Sequence, residues 1–462
     1  MKTTPCQGKR KMTIRRTESL CPHCFKKIPA QLVAEGRDVY LEKSCPEHGS
    51  FKTIVWRGEP SLETWQRLKI PAPIHHPNTG IDKGCPFDCG ICPAHRQHTC
   101  TALLEITRDC NIRCPVCFAD GGKRKDAPTL ETIKSWYQML LDSGGPYNVQ
   151  LSGGEPTLRD DLPEIIALGR SMGFPFIQLN TNGLRLYEEP DFLQRLAEAG
   201  LSSLFLQFDG LTGDIYEKLR GADYLEAKLG LIELCQEMGL GVILVPTVVA
   251  GVNDHQLGDI IKFALQKMPT VRGVHFQPIS FFGRYPKAPD NGMRITLPEV
   301  MQKIVEQSRG RIKPANLAPP GCENSLCSFH GNFVLMPDDR LVPLTHREDQ
   351  SCCCSEPLPA EVGAEKARNF VARNWQIQSD CCCEREDKAE ESGTDSLAAF
   401  LERARTHKFC LSAMAFQDVW NIDLERLRDC CIHVVSPDGR RIPFCAYNLT
   451  NSQGVPLYRS RR

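Results

Sequence analysis

Between Thr101 and Gly310, short apolar runs alternate with amphipathic stretches of helical period, joined by short polar connections. The apolar runs are Thr101–Thr107, Asn148–Leu151, Phe176–Asn180, Ser203–Phe208, Val242–Val249 and Val274–Ile279. Few polar residues alternate within them, as befits parallel strands covered on both faces. The helical stretches are Leu130–Asp142, Leu162–Met172, Asp191–Glu198, Leu225–Met238, Gln256–Lys267 and Leu297–Gln307, with Asp254 as a capping signal before Ile260–Leu265. Strand and helix in strict alternation predict a parallel α/β core. A doubly wound sheet and an incomplete barrel both satisfy this pattern. Before the core lie short strand-like pieces such as Asp38–Leu41 and Lys52–Val55; after it come Leu397–Arg405, Leu424–Leu427 and the apolar Ile432–Val435.

Composition narrows the class. The 462 residues are 41% hydrophobic and 24% charged, a globular balance with room for several domains. Lys+Arg and Asp+Glu both number 56, so the basic excess of a nucleic-acid-coating protein is missing. The longest apolar run, Gly239–Val252, contains Pro246 and is too short to span a bilayer. Met1–Leu20 is polar and basic, without the apolar stretch of a secretory signal, so a cytoplasmic protein is expected. Lys9–Arg16 and Arg459–Arg462 read as solvated tails, and Glu384–Ser396 as a charged linker.

The cysteines change this picture most. There are 24 of them, set before residue 118 and from Cys322 onward, with Cys235 alone between. In a reducing compartment such density reads as metal ligation or redox chemistry, not as a disulfide scaffold. Cys235 lies on the apolar side of a helix and reads as core. Two segments share the spacing C-x3-C-x2-C: Cys85–Cys89–Cys92 and Cys110–Cys114–Cys117. Three thiolates so spaced wrap three corners of a cubane and leave one iron open. The second segment follows the first core strand, at the end where α/β folds place active sites. Phe118, next to it, suits covering a cluster or a purine.

With Ser152-Gly153-Gly154-Glu155-Pro156 after the second strand, Cys110-Asn-Ile-Arg-Cys114-Pro-Val-Cys117-Phe118 resembles the radical S-adenosylmethionine (SAM) superfamily. The resemblance covers Thr101–Gly310 and implies a partial (βα)6 TIM-like barrel. It implies a [4Fe-4S] cluster on Cys110, Cys114 and Cys117, with SAM chelating the open iron. Reductive cleavage of SAM then yields a 5′-deoxyadenosyl radical that abstracts hydrogen from an unactivated carbon. Phe118, Gly153, Gly154, Glu155, Pro156, Asn180, Thr181 and Asn182 become cofactor contacts. Here Gly153 and Gly154 let backbone approach the methionine moiety, and Glu155 accepts from its ammonium. Gln207, Asp209, His275 and Gln277, at later strand ends, become the substrate-side candidates. An oxygen-sensitive enzyme is implied, with a reducing partner such as ferredoxin or flavodoxin, and no nucleic acid.

Outside the core, Thr17-Glu-Ser-Leu-Cys21-Pro-His-Cys24, Cys45-Pro-Glu-His-Gly49 and Gly84-Cys-Pro-Phe-Asp-Cys-Gly-Ile-Cys-Pro-Ala-His95 resemble the group of the tetraether lipid synthase, also linked to hydroxymethylpterin methylation. Pro320-Gly-Cys322-Glu-Asn-Ser-Leu-Cys327-Ser-Phe-His330 and the Cys352–Cys354 triplet look closest to TrsS-type radical SAM (seleno)proteins. The implied layout is a rubredoxin- or zinc-ribbon-like region (1–60), a linker with an auxiliary cysteine motif (61–100), the barrel (101–310), a Cys-rich extension (311–383), the charged linker (384–396) and a Cys-containing tail (397–462). Cys21, Cys24 and Cys45 would hold mononuclear iron or zinc with His48 or Cys6. Cys85, Cys89, Cys92 and Cys100 would hold an auxiliary [4Fe-4S] cluster rather than zinc, and Cys322 and Cys327 add further ligands. The Cys352–Cys354 and Cys381–Cys383 triplets stand between ligands and reactive thiols, and Cys410, Cys430, Cys431 and Cys445 form a looser candidate set. Carbon–carbon coupling or methylation of a lipid- or pterin-like molecule is the expected outcome. An electron-transfer or metal-handling protein with a non-catalytic barrel is the alternative.

Overall fold

The computed structural model describes residues 11–123, 127–347, 357–377 and 397–459. Cys6, both cysteine triplets and the charged linker lie outside the described residues. The sheet expected of the core is present: Thr101–Thr107, Asn148–Gly153, Ile177–Thr181, Ser203–Gln207, Gly241–Val245 and Val271–Pro278 lie side by side in chain order, all parallel. A doubly wound sheet reverses its strand order at a switch point. Here the order never reverses, so the winding is that of a barrel.

Helices Leu130–Asp142 and Leu297–Gln307 have the bounds read from the sequence. Thr129 Oγ1 caps the first by accepting from Thr132 N (3.2 Å), and Thr296 with Glu299 forms a capping box on the second. Asp254 caps nothing: its helix begins at Leu257, and its carboxylate takes the Gly251 amide and Lys303 instead. Outward strand residues such as Leu104, Val149, Leu151, Leu179, Leu204 and Leu244 pack with Ile133, Tyr137, Leu140, Ile165 and Ile166 of the helices in one core. The inward face is different. Gln150 donates to Gln178 Oε1 (2.6 Å) and Gln178 to Ser203 Oγ (2.9 Å), a row of amides inside the barrel.

The tail returns to both edges of this sheet. Lys408–Met414 pairs in parallel with Val271–Pro278, and Ile432–Val435 pairs in parallel with Thr101–Thr107. Eight parallel strands therefore run side by side among the described residues. Antiparallel Ser328–Leu335 and Arg441–Pro443 follow on the two sides.

Residues Lys11–Leu20, Lys27–Glu35, Asp38–Cys45 and Gly49–Arg57 form a separate antiparallel sheet in chain order. The basic stretch expected as a loose tail is its first strand, with Lys11 paired to Glu35 (3.0 Å) and Arg15 to Asp423 of the tail. Lys43 Nζ reaches Val419 O (2.8 Å), and Thr53 Oγ1 reaches Trp420 O (3.1 Å). Arg459 is not solvated either. It is buried, donating to Glu105 Oε2 (2.8 Å) on the first barrel strand and to Asn448 Oδ1 (3.1 Å). No described helix is long and apolar enough to cross a membrane.

Removing Arg459 would strand the Glu105 carboxylate, and breaking a buried pair costs about 3–5 kcal/mol. Arg459→Met is therefore expected to lower the denaturation midpoint clearly, while Arg440→Met, at a more exposed pair with Asp438, leaves it nearly unchanged. Equal midpoints would refute the role given to Arg459.

Candidate active site and metal centres

The loop after Thr107 crosses the turn after Gly153 at backbone distance. Gly154 N donates to Thr107 O (2.9 Å) and Glu155 N to Asp109 O (2.7 Å). A Cβ on Gly153, whose φ is +136°, would sit 2.0 Å from Thr107 O, and one on Gly154 would sit 2.0 Å from Asp109 O. The resemblance implies that these glycines let methionine approach closely; the structure gives them a second task. The atoms that exclude a side chain belong to the neighbouring loop, which carries the cysteines. Arg284 braces that loop from the other side, exchanging backbone bonds with Cys117 (2.9 and 3.0 Å) and donating from Nε to Cys114 O (3.0 Å). Cys110, Cys114 and Cys117 thus line a cavity of about 790 Å³ inside the barrel, together with Phe118, Gly153, Gly154 and Glu155. Burial pushes the Cys110 thiol up to about 12.

Glu155 is buried and heavily engaged. Its Oε1 accepts from Thr157 N (3.2 Å), Thr157 Oγ1 (2.8 Å) and Thr181 Oγ1 (2.7 Å), whereas Oε2 accepts only Asn182 N (2.7 Å). Oε2 thus carries the fewer hydrogen bonds of the two oxygens among the described residues. Asn182 also donates to Asn111 Oδ1 (2.7 Å), tying the third strand to the cysteine loop. Asn180 lines the cavity with a buried Oδ1 that has no partner. Pro156 starts a short 3-10 turn and does not line the cavity.

Asp209 departs from its expected role. It is fully buried, lies off the cavity wall, and grips Arg220 through Nε and Nη2 (both 2.7 Å). Thr247 N takes Oδ1 as well (3.1 Å), so the carboxylate is engaged by Arg220 and the neighbouring strand and not by the cavity. Arg220 is the group that reaches the site, with Nη2 on Thr247 Oγ1 (2.9 Å) and Nη1 3.6 Å from Cys114 Sγ. Gln207, its amide oxygen turned to the guanidinium, adds an acceptor at 2.8 Å. Arg220 was not anticipated; it ends a helix, eleven residues past Asp209, in no local motif. Nor was Lys228, fully buried, whose ammonium donates to Asn182 O and is pulled down to about 8 by desolvation.

His275 and Gln277 line the same cavity. His275 Nδ1 meets Ser412 Oγ (2.8 Å), and burial lowers the ring to about 4, so it is neutral at pH 7. Beside it Phe205 stacks on Trp375 (5.8 Å, 20°).

The remaining cysteines sort into groups, two of which follow the sequence spacing while a third, around Cys100, does not. Cys21, Cys24, Cys45 and His48 bring their ligand atoms within 4.8 Å of one another, with His48 Nδ1 3.6 Å from Cys21 Sγ and 3.5 Å from Cys45 Sγ. A single tetrahedral ion spaces its donors in this way. Cys85, Cys89 and Cys92 line a small pocket with Asp88 and His95. Cys100, expected beside them, instead turns to Cys431 (3.1 Å), and Cys322 joins that pair. Cys327 is apart from Cys322, its sulfur accepting from Arg426 Nε (3.0 Å). Cys410 sits on its own strand, buried among the barrel residues, and Cys235 is core.

These features bear on the comparisons with known proteins. A family described as "Radical SAM superfamily" matches residues 104–264, and "HMPTM N-terminal zinc ribbon domain" matches residues 13–57. The 7,8-dihydro-6-hydroxymethylpterin dimethyltransferase of Methanocaldococcus jannaschii is 35% identical over 96% of this chain and 94% of its own. The chain belongs to the radical SAM superfamily. A probable GTP 3′,8-cyclase of Methanothermobacter marburgensis is 33% identical, over 43% of this chain and 63% of that protein. Among solved structures, SuiB of Streptococcus suis bound to its precursor peptide covers 46% of each chain at 15% identity, with a TM-score of 0.40. The α/β fold is that of a radical SAM enzyme, with Cys-rich regions at both ends. Three thiols from one loop, the orphaned Asn180 oxygen and the less engaged oxygen of Glu155 are a donor set that fits a [4Fe-4S] cluster and SAM.

Asp209→Asn would leave the Arg220 guanidinium buried without its carboxylate, again a loss of about 3–5 kcal/mol. The enzyme is expected to lose both thermal stability and most of its SAM cleavage, and retention of both would remove Asp209 from the positioning role. At the other end of the chain, Cys45→Ala is expected to lower bound metal by one ion per chain, counted by elemental analysis.

Proposed function

We propose that this radical SAM enzyme methylates an unactivated carbon of a pterin-like heterocycle held inside the barrel. The likeness to the pterin dimethyltransferase carries the reading, because it runs through the barrel and both Cys-rich ends. The cavity wall agrees in chemistry. Gln150, Gln178, Asn180, Gln207 and Gln277 offer amides along it, and Phe205 with Trp375 offers a stacked aromatic surface among them. A flat ring with donors and acceptors on its edge satisfies both. The cluster and SAM, when bound, would supply the radical that abstracts hydrogen. Cys110, Cys114 and Cys117 would hold the cluster; Gly153, Gly154, Glu155, Asn180, Thr181 and Asn182 would hold SAM, with Phe118 over it. Gln207, His275 and Gln277 would face the substrate. Cys85, Cys89 and Cys92 would hold an auxiliary cluster, Cys21, Cys24, Cys45 and His48 a zinc or iron ion, and a ferredoxin or flavodoxin of the cytoplasm would supply electrons.

Carbon–carbon coupling of a lipid is the second reading. It is favoured by the apolar part of the wall, Val245, Phe370 and Val371, which continues toward the exposed Leu358.

Iron-reconstituted enzyme, incubated anaerobically with SAM, dithionite and 7,8-dihydro-6-hydroxymethylpterin, separates the readings. Methylated pterin together with 5′-deoxyadenosine and S-adenosylhomocysteine is expected, with all three abolished by Cys110→Ala. Deoxyadenosine without S-adenosylhomocysteine or methylated pterin, stimulated by a lipid extract, would replace the pterin reading with the coupling one. No cleavage by the fully loaded enzyme would refute both.

A further inference from the structure

Four cationic side chains line the cavity among the described residues: Arg67, Lys218, Arg220 and Lys366. Two of them are neutralised. Lys218 pairs with Asp214 (2.8 Å), and Asp209 grips Arg220 (2.7 Å). Arg67 and Lys366 differ: among the described residues, neither side chain meets a carboxylate or any other acceptor. Glu323, the carboxylate lining their end of the cavity, turns its Oε1 to Ser328 Oγ. Lys69, also at this end, is occupied by the Cys322 and Glu323 carbonyls.

The two free cations are held against one loop. Trp65 is fully buried, and its Nε1 donates to Ser325 O (3.0 Å), while Arg67 N donates to Ser325 Oγ (3.0 Å). A Cβ on Gly321, in the same loop, would stand 3.5 Å from Arg67 Nη1. Helix Ala360–Asn374 packs on that loop from the other side, and a Cβ on Gly363 would stand 2.3 Å from Gly321 O. Lys366 follows Gly363 by one turn, and Gly363, Lys366, Ala367 and Phe370 present one helix face to the cavity. Gly321 precedes Cys322, so this is the far end of the barrel, where Cys100 and Cys431 lie. Strand Thr101–Thr107, at ~3.3 Å per residue, sets that end roughly 20 Å from the Cys110 loop. His330 on the same wall is neutral, because burial and the Arg67 charge hold its ring down at about 4.

Unmatched cations at the rim of a concave surface focus a positive potential that draws anions in. A guanidinium meets a phosphoryl group with two parallel N–H bonds, and an ammonium adds a compact charge. A phosphate monoester carries nearly two negative charges at pH 7, which two cations balance. We propose that Arg67 and Lys366 form a phosphoryl-binding subsite at the far end of the cavity, so that the substrate enters as a phosphate monoester with its reacting carbon toward the Cys110 loop. The subsite holds this group by charge and hydrogen bonds, and no bond to phosphorus is made or broken. The proposal rests on the reading that substrate lies inside the barrel. A pterin and a lipid can both carry the group, and the probes below distinguish them.

Binding is read without turnover, by calorimetric titration of the iron-reconstituted full chain with SAM and no reductant. The probes are 7,8-dihydro-6-hydroxymethylpterin against its phosphate monoester, and dioctanoylglycerol against dioctanoyl phosphatidate. The pterin ester is expected to bind roughly tenfold tighter than the free alcohol, an advantage that shrinks as salt is raised. Arg67→Gln and Lys366→Gln are each expected to remove most of that advantage while leaving the Kd of the alcohol unchanged. Arg67→Lys, which keeps the charge but not the planar fork, is expected to restore part of it. Lys366 is exposed, so Lys366→Glu carries the test should Arg67→Gln fail to fold. Equal Kd values for ester and alcohol, or an advantage that survives in both glutamine variants, would overturn the subsite and leave the pterin reading standing. A phosphatidate advantage that needs Arg67 and Lys366, with no pterin binding, would uphold the subsite and count against the pterin alone. Binding of no probe would overturn both.

Discussion

The active end of this enzyme depends on two loops passing each other with no room for a Cβ. The Thr107 and Asp109 carbonyls lie where side chains of Gly153 and Gly154 would begin, so any other residue there pushes the loops apart. Their crossing is sealed by two backbone hydrogen bonds, and it sets the cysteine loop and Glu155 in fixed relation. Glu155 then organises the next strand through Thr181 and Asn182, and Asn182 returns to Asn111 within the cysteine loop. The result is a closed circuit of short bonds around the place where the thiols face the cavity. A cofactor held at several points needs such rigidity, because small displacements of its reacting bond cost rate steeply.

Charge is distributed around that circuit with the same economy. Two cations, Arg220 and Lys228, approach the buried end of the barrel, and each is matched. Asp209 and Gln207 hold the guanidinium, while the Asn182 carbonyl holds the ammonium. Arg220 stands near Cys114, where a fixed cation would stabilise the negative charge of a cluster held with its thiolate ligands. Asp209 acts through Arg220 and is a positioning residue. Along the same cavity the amides of Gln150, Gln178, Asn180, Gln207 and Gln277 are neutral, and so is His275, whose lowered basicity keeps the ring uncharged at pH 7. Neutral donors and acceptors suit a heterocycle better than they suit a bare ion.

Much of this was legible in the sequence where information is local. Barrel strands and helices follow the apolar runs within a few residues, because burial on the outer face imposes its period directly. The cysteine loop and the Gly153–Pro156 turn were legible because each performs its task within one short segment. Pairings between distant segments were not. Asp209 reads as a free carboxylate until a helix brings Arg220 to it, and Cys100 sits eight residues from Cys92 yet turns to Cys431. The chain ends misled for the same reason: a basic stretch looks solvated unless its partners, Asp423 for Arg15 and Glu105 for Arg459, are known. Gln207 and Gln277 stand out at strand ends, but Gln150 and Gln178 lie within runs that read as apolar overall and so hide one polar face.

The tail explains why the cysteines at the two ends of the chain belong to one machine. Its strand Ile432–Val435 extends the barrel beside Thr101–Thr107, and that pairing alone places Cys431 against Cys100. The strand so gripped ends in the loop that carries Cys110, and Arg459 holds its Glu105 from within the same tail. Register along one strand pair therefore links the thiol group at the barrel's far end to the cysteine loop at its active end. A slip of one residue would turn every inward side chain outward and separate Cys100 from Cys431 together. The same tail bonds the N-terminal ribbon through Val419, Trp420 and Asp423, so that set too is positioned against the barrel by the last sixty residues or so of the chain. The C-terminal Cys-rich end, an appendage by its sequence, is thus built into the sheet that shapes the site, and it tethers the separate N-terminal sheet to it.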